Sequence, residues 1–135
     1  MTYWLFNTDE AETPGQGAYL LMLQQLCIAA WGEQYNANVL LTKPRADDCV
    51  FFYVNGVGIV AKATFTASGP FSSDSIFGKQ REGEFHRNVV KLVRPRRGPL
   101  SHAFVRQRVG YYLPAMGRAL KELDSVVARE IEKLF

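Results

Sequence analysis

Residues 49–66 constrain the fold of this 135-residue chain more than any other segment. They read Cys-Val-Phe-Phe-Tyr-Val54, then Asn55-Gly56, then Val57-Gly-Ile-Val-Ala-Lys-Ala-Thr-Phe-Thr66. Two β-rich runs on either side of Asn-Gly form a hairpin, because that dipeptide accepts the left-handed dihedrals a tight turn demands. A lone hairpin is marginal in water, so other elements must cover it. The sequence offers them. Residues 2–7 are aromatic and short, a strand signal, and Phe85–Val93 resumes a strand pattern that Pro95 stops. Between Ala18 and Trp31 the residues Leu20, Leu23, Cys27, Ala30 and Trp31 recur at three- and four-residue steps, which predicts a helix ending before Gly32. Pro99–Val109 predicts a short helix with Phe104 and Val105 inward and Arg106 and Arg108 outward. Asp124 is the expected N-cap of a last helix whose Val127, Ile131 and Leu134 share a face. Thr8–Gly17, Gly32–Asn38, Lys43–Asp48 and the long Ser68–Glu84 stretch read as loops.

The expectation is one α+β domain spanning residues 1–135, with four to six strands in a closed or nearly closed sheet and helices outside it. A chain of this length buries roughly two-thirds of its unfolded surface, so its core needs no disulfide or metal staple.

The formal net charge of +3 hides an uneven distribution. Residues 1–42 hold no Lys or Arg and four acids (Asp9, Glu10, Glu12, Glu33). Residues 79–121 hold eleven Lys or Arg against Glu82 and Glu84, centred on Arg94, Arg96 and Arg97. Such asymmetry points to an anionic partner, although a solvated basic face would carry the same charges.

Enzyme signatures largely fail. Gly56-Val-Gly58 follows a strand but continues as strand, whereas a dinucleotide site needs a helix to begin there. No Walker loop, zinc-protease helix or Gly-x-Ser-x-Gly elbow is present. Cys27 and Cys49 read as small buried hydrophobes in a reducing compartment. Two cysteines with the isolated His86 and His102 lack the paired spacing of a zinc site, so neither metal nor cofactor is expected. No secretory leader pattern and no membrane-spanning run is read, and a soluble, cytoplasmic protein is expected.

The aromatic residues are more informative. Neighbours on a strand face opposite sides, so Tyr3 and Leu5 oppose Trp4 and Phe6, and Phe51 and Tyr53 oppose Phe52. One set is expected to line something other than the main core. Rings that accept a flat base, beside a basic strip, form the usual recipe for splayed-out nucleotides. A two-sided core would explain the same pattern.

Tyr3-Trp-Leu-Phe-Asn-Thr8 resembles the opening strand of the EVE domain, a member of the PUA-like superfamily. Lys43-Pro44, Asp48-Cys-Val-Phe-Phe-Tyr53, Gly56 and Gly58-Ile-Val-Ala-Lys-Ala63 resemble that family's K-P-G-D-x-V-F-F-Y and G-I-V-G-x-A core in order and spacing, with two extra residues in the turn. Trp31-Gly32 resembles the tryptophan the family places ahead of this strand pair. The matches cover about half of the chain, residues 2–8 and 31–66. The resemblance implies a PUA-like pseudobarrel of five to six strands, related to the YTH readers, with a pocket for one flipped base and for modified bases in particular. By the same resemblance Trp31 and Tyr53 would be stacking walls, Asn7 and Thr8 would bond the base's polar edge, and Tyr35 would add a third ring. Arg94, Arg96, Arg97, Arg106 and Arg108 are assigned to phosphates from charge alone. Asn7-Thr8-Asp9-Glu10 carries neither the Lys nor the Pro of the family pattern, and Glu33–Asn38 carries no cation. A neutral, Asn/Gln-lined rim suits a neutral base edge better than a phosphate.

The function expected is that of a nucleic-acid reader, for DNA or RNA. Two alternatives stand beside it. One is a small ASCH-type hydrolase acting on modified nucleosides and recruiting Lys43 or Lys62 with Asp9 or Glu10. The other is a regulatory subunit that binds an acidic protein.

Overall fold

The computed structural model describes residues 1–8, 17–30, 41–68, 84–113 and 120–135. Six strands form a single curled mixed sheet in the order β2-β5-β4-β3-β1-β6, a half-barrel of the PUA-like kind. They are β1 (Tyr3–Asn7), β2 (Cys27–Ala30), β3 (Cys49–Val54), β4 (Gly58–Phe65), β5 (Phe85–Val93) and β6 (Leu120–Leu123). Three described helices accompany them, α1 (Ala18–Gln25), α2 (His102–Val109) and α3 (Ser125–Glu132).

The expected hairpin is present as β3 and β4. Gly56 takes the left-handed backbone (φ 79°), and the Val57 N–H closes the turn on the Val54 carbonyl at 3.0 Å. The first strand joins the same slab from the other side. β1 runs parallel to β3 with Tyr3 opposite Cys49 and Asn7 opposite Tyr53, and antiparallel to β6.

Strand alternation then sorts the rings into two cores. Trp4, Phe6, Val50, Phe52 and Val54 enter one cluster with Met22 and Leu23 of α1 and Ile28 of β2. Tyr3, Leu5, Cys49, Phe51 and Tyr53 enter a second cluster with Val105 of α2 and Ala128 and Ile131 of α3. The set expected to line something other than the main core lies in a second core, so the two-sided core is the arrangement found. Both faces of the slab are buried because helices cover the side that the curl of the sheet leaves outside.

The predicted helix over 18–31 is also corrected. It stops at Gln25, where Leu26 adopts the left-handed conformation and its N–H caps the carbonyls of Met22 and Leu23. Cys27–Ala30 then pair antiparallel with β5, Cys27 opposite Asn88 and Ala30 opposite Phe85. A short apolar run suits either a buried helix or a buried strand. The first half of β5 decides between them, since β4 engages β5 only from Val89 onward. Along β5 the register shifts by one residue, and Lys91 there has φ 57°. Such a bulge bends the strand and lets it serve two neighbours.

Two local devices hold the slab to its surroundings. Asp48 is buried, and its carboxylate accepts the Thr2 N–H (2.9 Å), the Arg45 N–H (2.9 Å) and the Trp4 indole N–H (3.1 Å). Burial pushes this carboxyl up, but the three donors outweigh burial and hold it below its ordinary value of 3.8. The second device is the seat of α2. Ile59 and Leu100 exchange backbone hydrogen bonds of 2.8 and 2.9 Å, and a Cβ on Gly58 (φ 123°) would lie 2.0 Å from the Leu100 carbonyl oxygen. The expected Asp124 cap is present and accepts the N–H groups of Val126 and Val127, and Ser101 caps α2 by accepting that of Phe104. In α2, Val105 is buried while Arg106 and Arg108 are exposed, as expected.

Gly58→Ala should lose on the order of 1–3 kcal/mol from its dihedral alone. Displacement of Leu100 adds to that loss, and a urea midpoint with an unchanged slope would record it. Because the Asp48 carboxyl sits below its unfolded value, its contribution is complete above about pH 4. It fades as the pH falls through the lowered native value. Denaturation midpoints of the wild type and Asp48→Asn should therefore differ most near pH 7 and converge in acid.

Candidate functional site

The basic segment is drawn around one short helix. β5 ends at Val93, the chain passes Arg94, Arg96 and Arg97 in an exposed turn, and the Ile59–Leu100 bridge fixes where α2 begins. One flank of α2 borders a cleft of about 440 Å³, with Arg96 and Arg97 on its rim and Leu100, Phe104 and Phe135 among its lining residues. The other flank borders a cleft of about 250 Å³ lined by His102, Arg106, Tyr112 and Leu113. Aromatic rings stand beside the cations here. The Arg108 guanidinium lies 5.3 Å from the Phe104 ring centre, and that of Arg106 lies 5.6 Å from Tyr112, which is 71% exposed. Between Glu84 and Glu122 the chain contains no acid, so nothing in that sequence stretch offsets these charges.

The five arginines assigned to phosphates are all exposed, and four of them lie beside α2 or its clefts. Arg87, counted in the same basic stretch, is different. It is buried, donates to the carbonyls of Leu41 (2.7 Å) and Thr66 (2.9 Å), and covers the Phe65 ring at 5.3 Å. It joins chain segments and adds little to the surface charge.

The candidate base-pocket residues divide. Asn7, Thr8 and Tyr53 meet at the ends of β1 and β3. The Thr8 N–H and hydroxyl both donate to the Tyr53 carbonyl, at 3.0 and 3.1 Å. Tyr53 is only 1% exposed, and its ring lies in the second core with His102 edge-on at 5.5 Å. Its expected open stacking face is covered, because strand alternation aims it toward α2. Its hydroxyl meets His102 Nε2 at 2.9 Å, and burial raises the phenol, which keeps it protonated at neutral pH. Tyr53 thereby reaches the smaller cleft through His102, a link that sequence spacing does not reveal. Trp31, Tyr35, Asp9 and Glu10 lie outside the described residues.

The two cysteines are buried, as expected, and Lys62, weighed for hydrolysis, is engaged in an ion pair. Burial, reinforced by the Glu84 charge, pushes the Cys27 thiol up to about 11, so it is not a thiolate at neutral pH. Cys49 rises by burial to about 12. Lys62 pairs with Glu132 at 3.2 Å and lies over the Phe135 ring. Lys43 is exposed. Among the described residues, no group of three His, Cys, Asp or Glu side chains could hold a metal, and no helix is long and apolar enough to cross a membrane.

No family model and no curated protein matches the chain. Solved structures do match. A structural-genomics protein of Rhodopseudomonas palustris is 16% identical, with a TM-score of 0.58 over 99% of this chain and 92% of its own. A second, from Pseudomonas syringae, is 15% identical with a TM-score of 0.57 over 98% of both chains. The YTH domain of a Zygosaccharomyces rouxii protein, in complex with N6-methyladenosine RNA, is 16% identical with a TM-score of 0.56 over 98% of this chain and 85% of its own. The chain has the fold of YTH domains. At these identities the likeness establishes architecture alone.

Tyr53→Phe should leave the fold intact and cost about 0.5–1.5 kcal/mol, the usual worth of one hydrogen bond. The His102 Nε2 resonance should move in the same variant, and an unmoved resonance would show that the pair does not form in solution.

Proposed function

We propose that this domain is a nucleic-acid reader that holds one flipped base and grips the adjoining strand through the arginines around α2. The observation that carries the reading is the gathering of Arg96, Arg97, Arg106 and Arg108 beside Phe104 and Tyr112, on a fold shared with an RNA-bound YTH domain. Cations neutralise phosphates, and exposed rings take bases without regard to sequence.

In this reading Trp31 and Tyr35 supply the stacking rings of the pocket, and Asn7 with Thr8 supplies its polar edge. Tyr53 has a supporting part, since its covered ring anchors Thr8 through its carbonyl and His102 through its hydroxyl. Arg94 extends the basic track from the end of β5. N6-methyladenosine and other modified bases are the first ligands to test, in RNA and in DNA.

Fluorescence anisotropy with single-stranded oligonucleotides provides the test. Affinity should fall as salt rises, and Arg96→Ala and Arg97→Ala should each lower the slope of log K on log salt by about 0.7. Trp31→Ala should cost about 1–3 kcal/mol of binding, the worth of one base stacked on an aromatic ring. Binding that ignores both salt and Trp31 would sink the proposal.

A further inference from the structure

The larger cleft beside α2 has two unlike walls. One is a tight turn in which the Gly98 N–H donates to the Pro95 carbonyl at 3.2 Å, with Arg96 and Arg97 at its two corners. Both ends of this turn are tied down, since Pro95 is buried and Leu100 is bridged to Ile59. The two arginines therefore leave the scaffold at fixed, adjacent positions. The other wall is apolar, formed by Leu100, Phe104, Leu134 and Phe135. Its two rings have neighbours that hold them. The Arg108 guanidinium lies 5.3 Å from the Phe104 ring centre, and Phe135 packs on Phe51 at 5.9 Å with Lys62 Nζ at 5.1 Å. Both rings stay partly exposed.

Charge and size then narrow the occupant. No acid is among the described residues that line the cleft. Glu132, two residues before Leu134, is taken up by the Tyr3 hydroxyl (2.8 Å) and by Lys62 (3.2 Å). An anion at the rim thus meets two guanidinium groups, whose planar forks match phosphate oxygens bidentately. The volume of about 440 Å³ falls within the range of small-molecule sites, about 300–1,000 Å³, whereas the cleft of about 250 Å³ on the other flank falls below it. A compound that joins a flat ring to a phosphate satisfies both walls at once.

We infer that the larger cleft is a nucleotide subsite, in which a base lies against Phe104 and Phe135 and its phosphate rests on Arg96 and Arg97. Resting on the reader function proposed above, this nucleotide is a neighbour of the flipped base on the same strand. The two occupy different places. Leu100 pairs with Ile59, Ile59 with Tyr53, and Tyr53 with Asn7. At about 4.8 Å per step, the back wall of the cleft lies about 14 Å across the sheet from Asn7. One strand can reach both. The ligand class is any nucleotide, because ring stacking and phosphate contacts carry no base-edge information.

The test titrates the full, isotope-labelled chain with AMP, adenosine and inorganic phosphate at millimolar concentrations. AMP should shift the amide resonances of Gly98, Ser101 and Phe104. It should bind about tenfold or more tighter than adenosine or phosphate, the worth of a hydrogen bond to a charged group. Phe104→Leu keeps the wall apolar and removes one ring. With an unchanged circular dichroism spectrum, it should weaken AMP about five- to a hundredfold, the worth of one stacked base. AMP binding no tighter than either fragment, or shifts confined to other residues, overturns the inference whether or not the variant folds. A folded Phe104→Leu that binds AMP as the wild type does overturns it too. Oligonucleotides that still bind in those cases leave the reader function standing and remove only the subsite. With AMP seated in the cleft, oligonucleotides weakened by Phe104→Leu put the nucleotide on the strand, and oligonucleotides indifferent to it make the subsite one for free nucleotides. If no oligonucleotide binds at all, the reader function falls while AMP in the cleft upholds the subsite.

Discussion

The parallel pairing of β1 with β3 is the constraint from which the rest of the structure follows. All five residues of β1 and all six of β3 are buried, which is possible only if both faces of the slab are covered. A parallel pair cannot be joined by a hairpin, so the chain must make a long crossover between them. That crossover contains α1 and β2, which close one core, while α2 and α3 close the other. Ring-to-ring contacts of the central strands, such as Tyr3 on Phe51 at 6.3 Å and Phe6 on Phe52 at 6.2 Å, run along both faces of this one pairing.

The position of the basic surface is a consequence of the same slab. Gly58 lets the backbone of β4 approach Leu100 closely enough to form a bridge, and the bridge sets the start of α2. Val105 anchors the helix in the second core, which turns Arg106 and Arg108 outward by helical geometry. The arginines are thus held by a rigid scaffold at the edge of two clefts. A polar clamp (Asp48, with Trp4, Thr2 and Arg45) performs the matching task at the opposite end of β1.

Much of the fold was legible from local chemistry. The Asn-Gly hairpin, the strand at 85–93, the capped helix beginning after Asp124 and the two-sided sorting of Tyr3, Trp4, Phe51 and Phe52 all depend on period and turn residues, which are properties of short windows. The helix that stops at Gln25 was not legible to its end. Cys27–Ala30 satisfy both a helical stripe and a buried strand, and only the open edge of β5 chooses between them. The candidate site was legible in composition and less so in arrangement. The arginine run was plain, yet Arg87 within it is buried and bonds to backbone carbonyls.

Outside Cys27–Ala30, the sequence by itself determined the types of the elements it marked, the alternation that makes two cores and the separation of acidic from basic stretches, because each rests on neighbours a few residues apart. Only the tertiary structure decided which aromatic faces stay open. It covered Tyr53 with α2 and joined its hydroxyl to His102, a residue 49 positions away. The physical reason is that burial and hydrogen-bond satisfaction are properties of packed surfaces, and those surfaces exist only once distant strands have met.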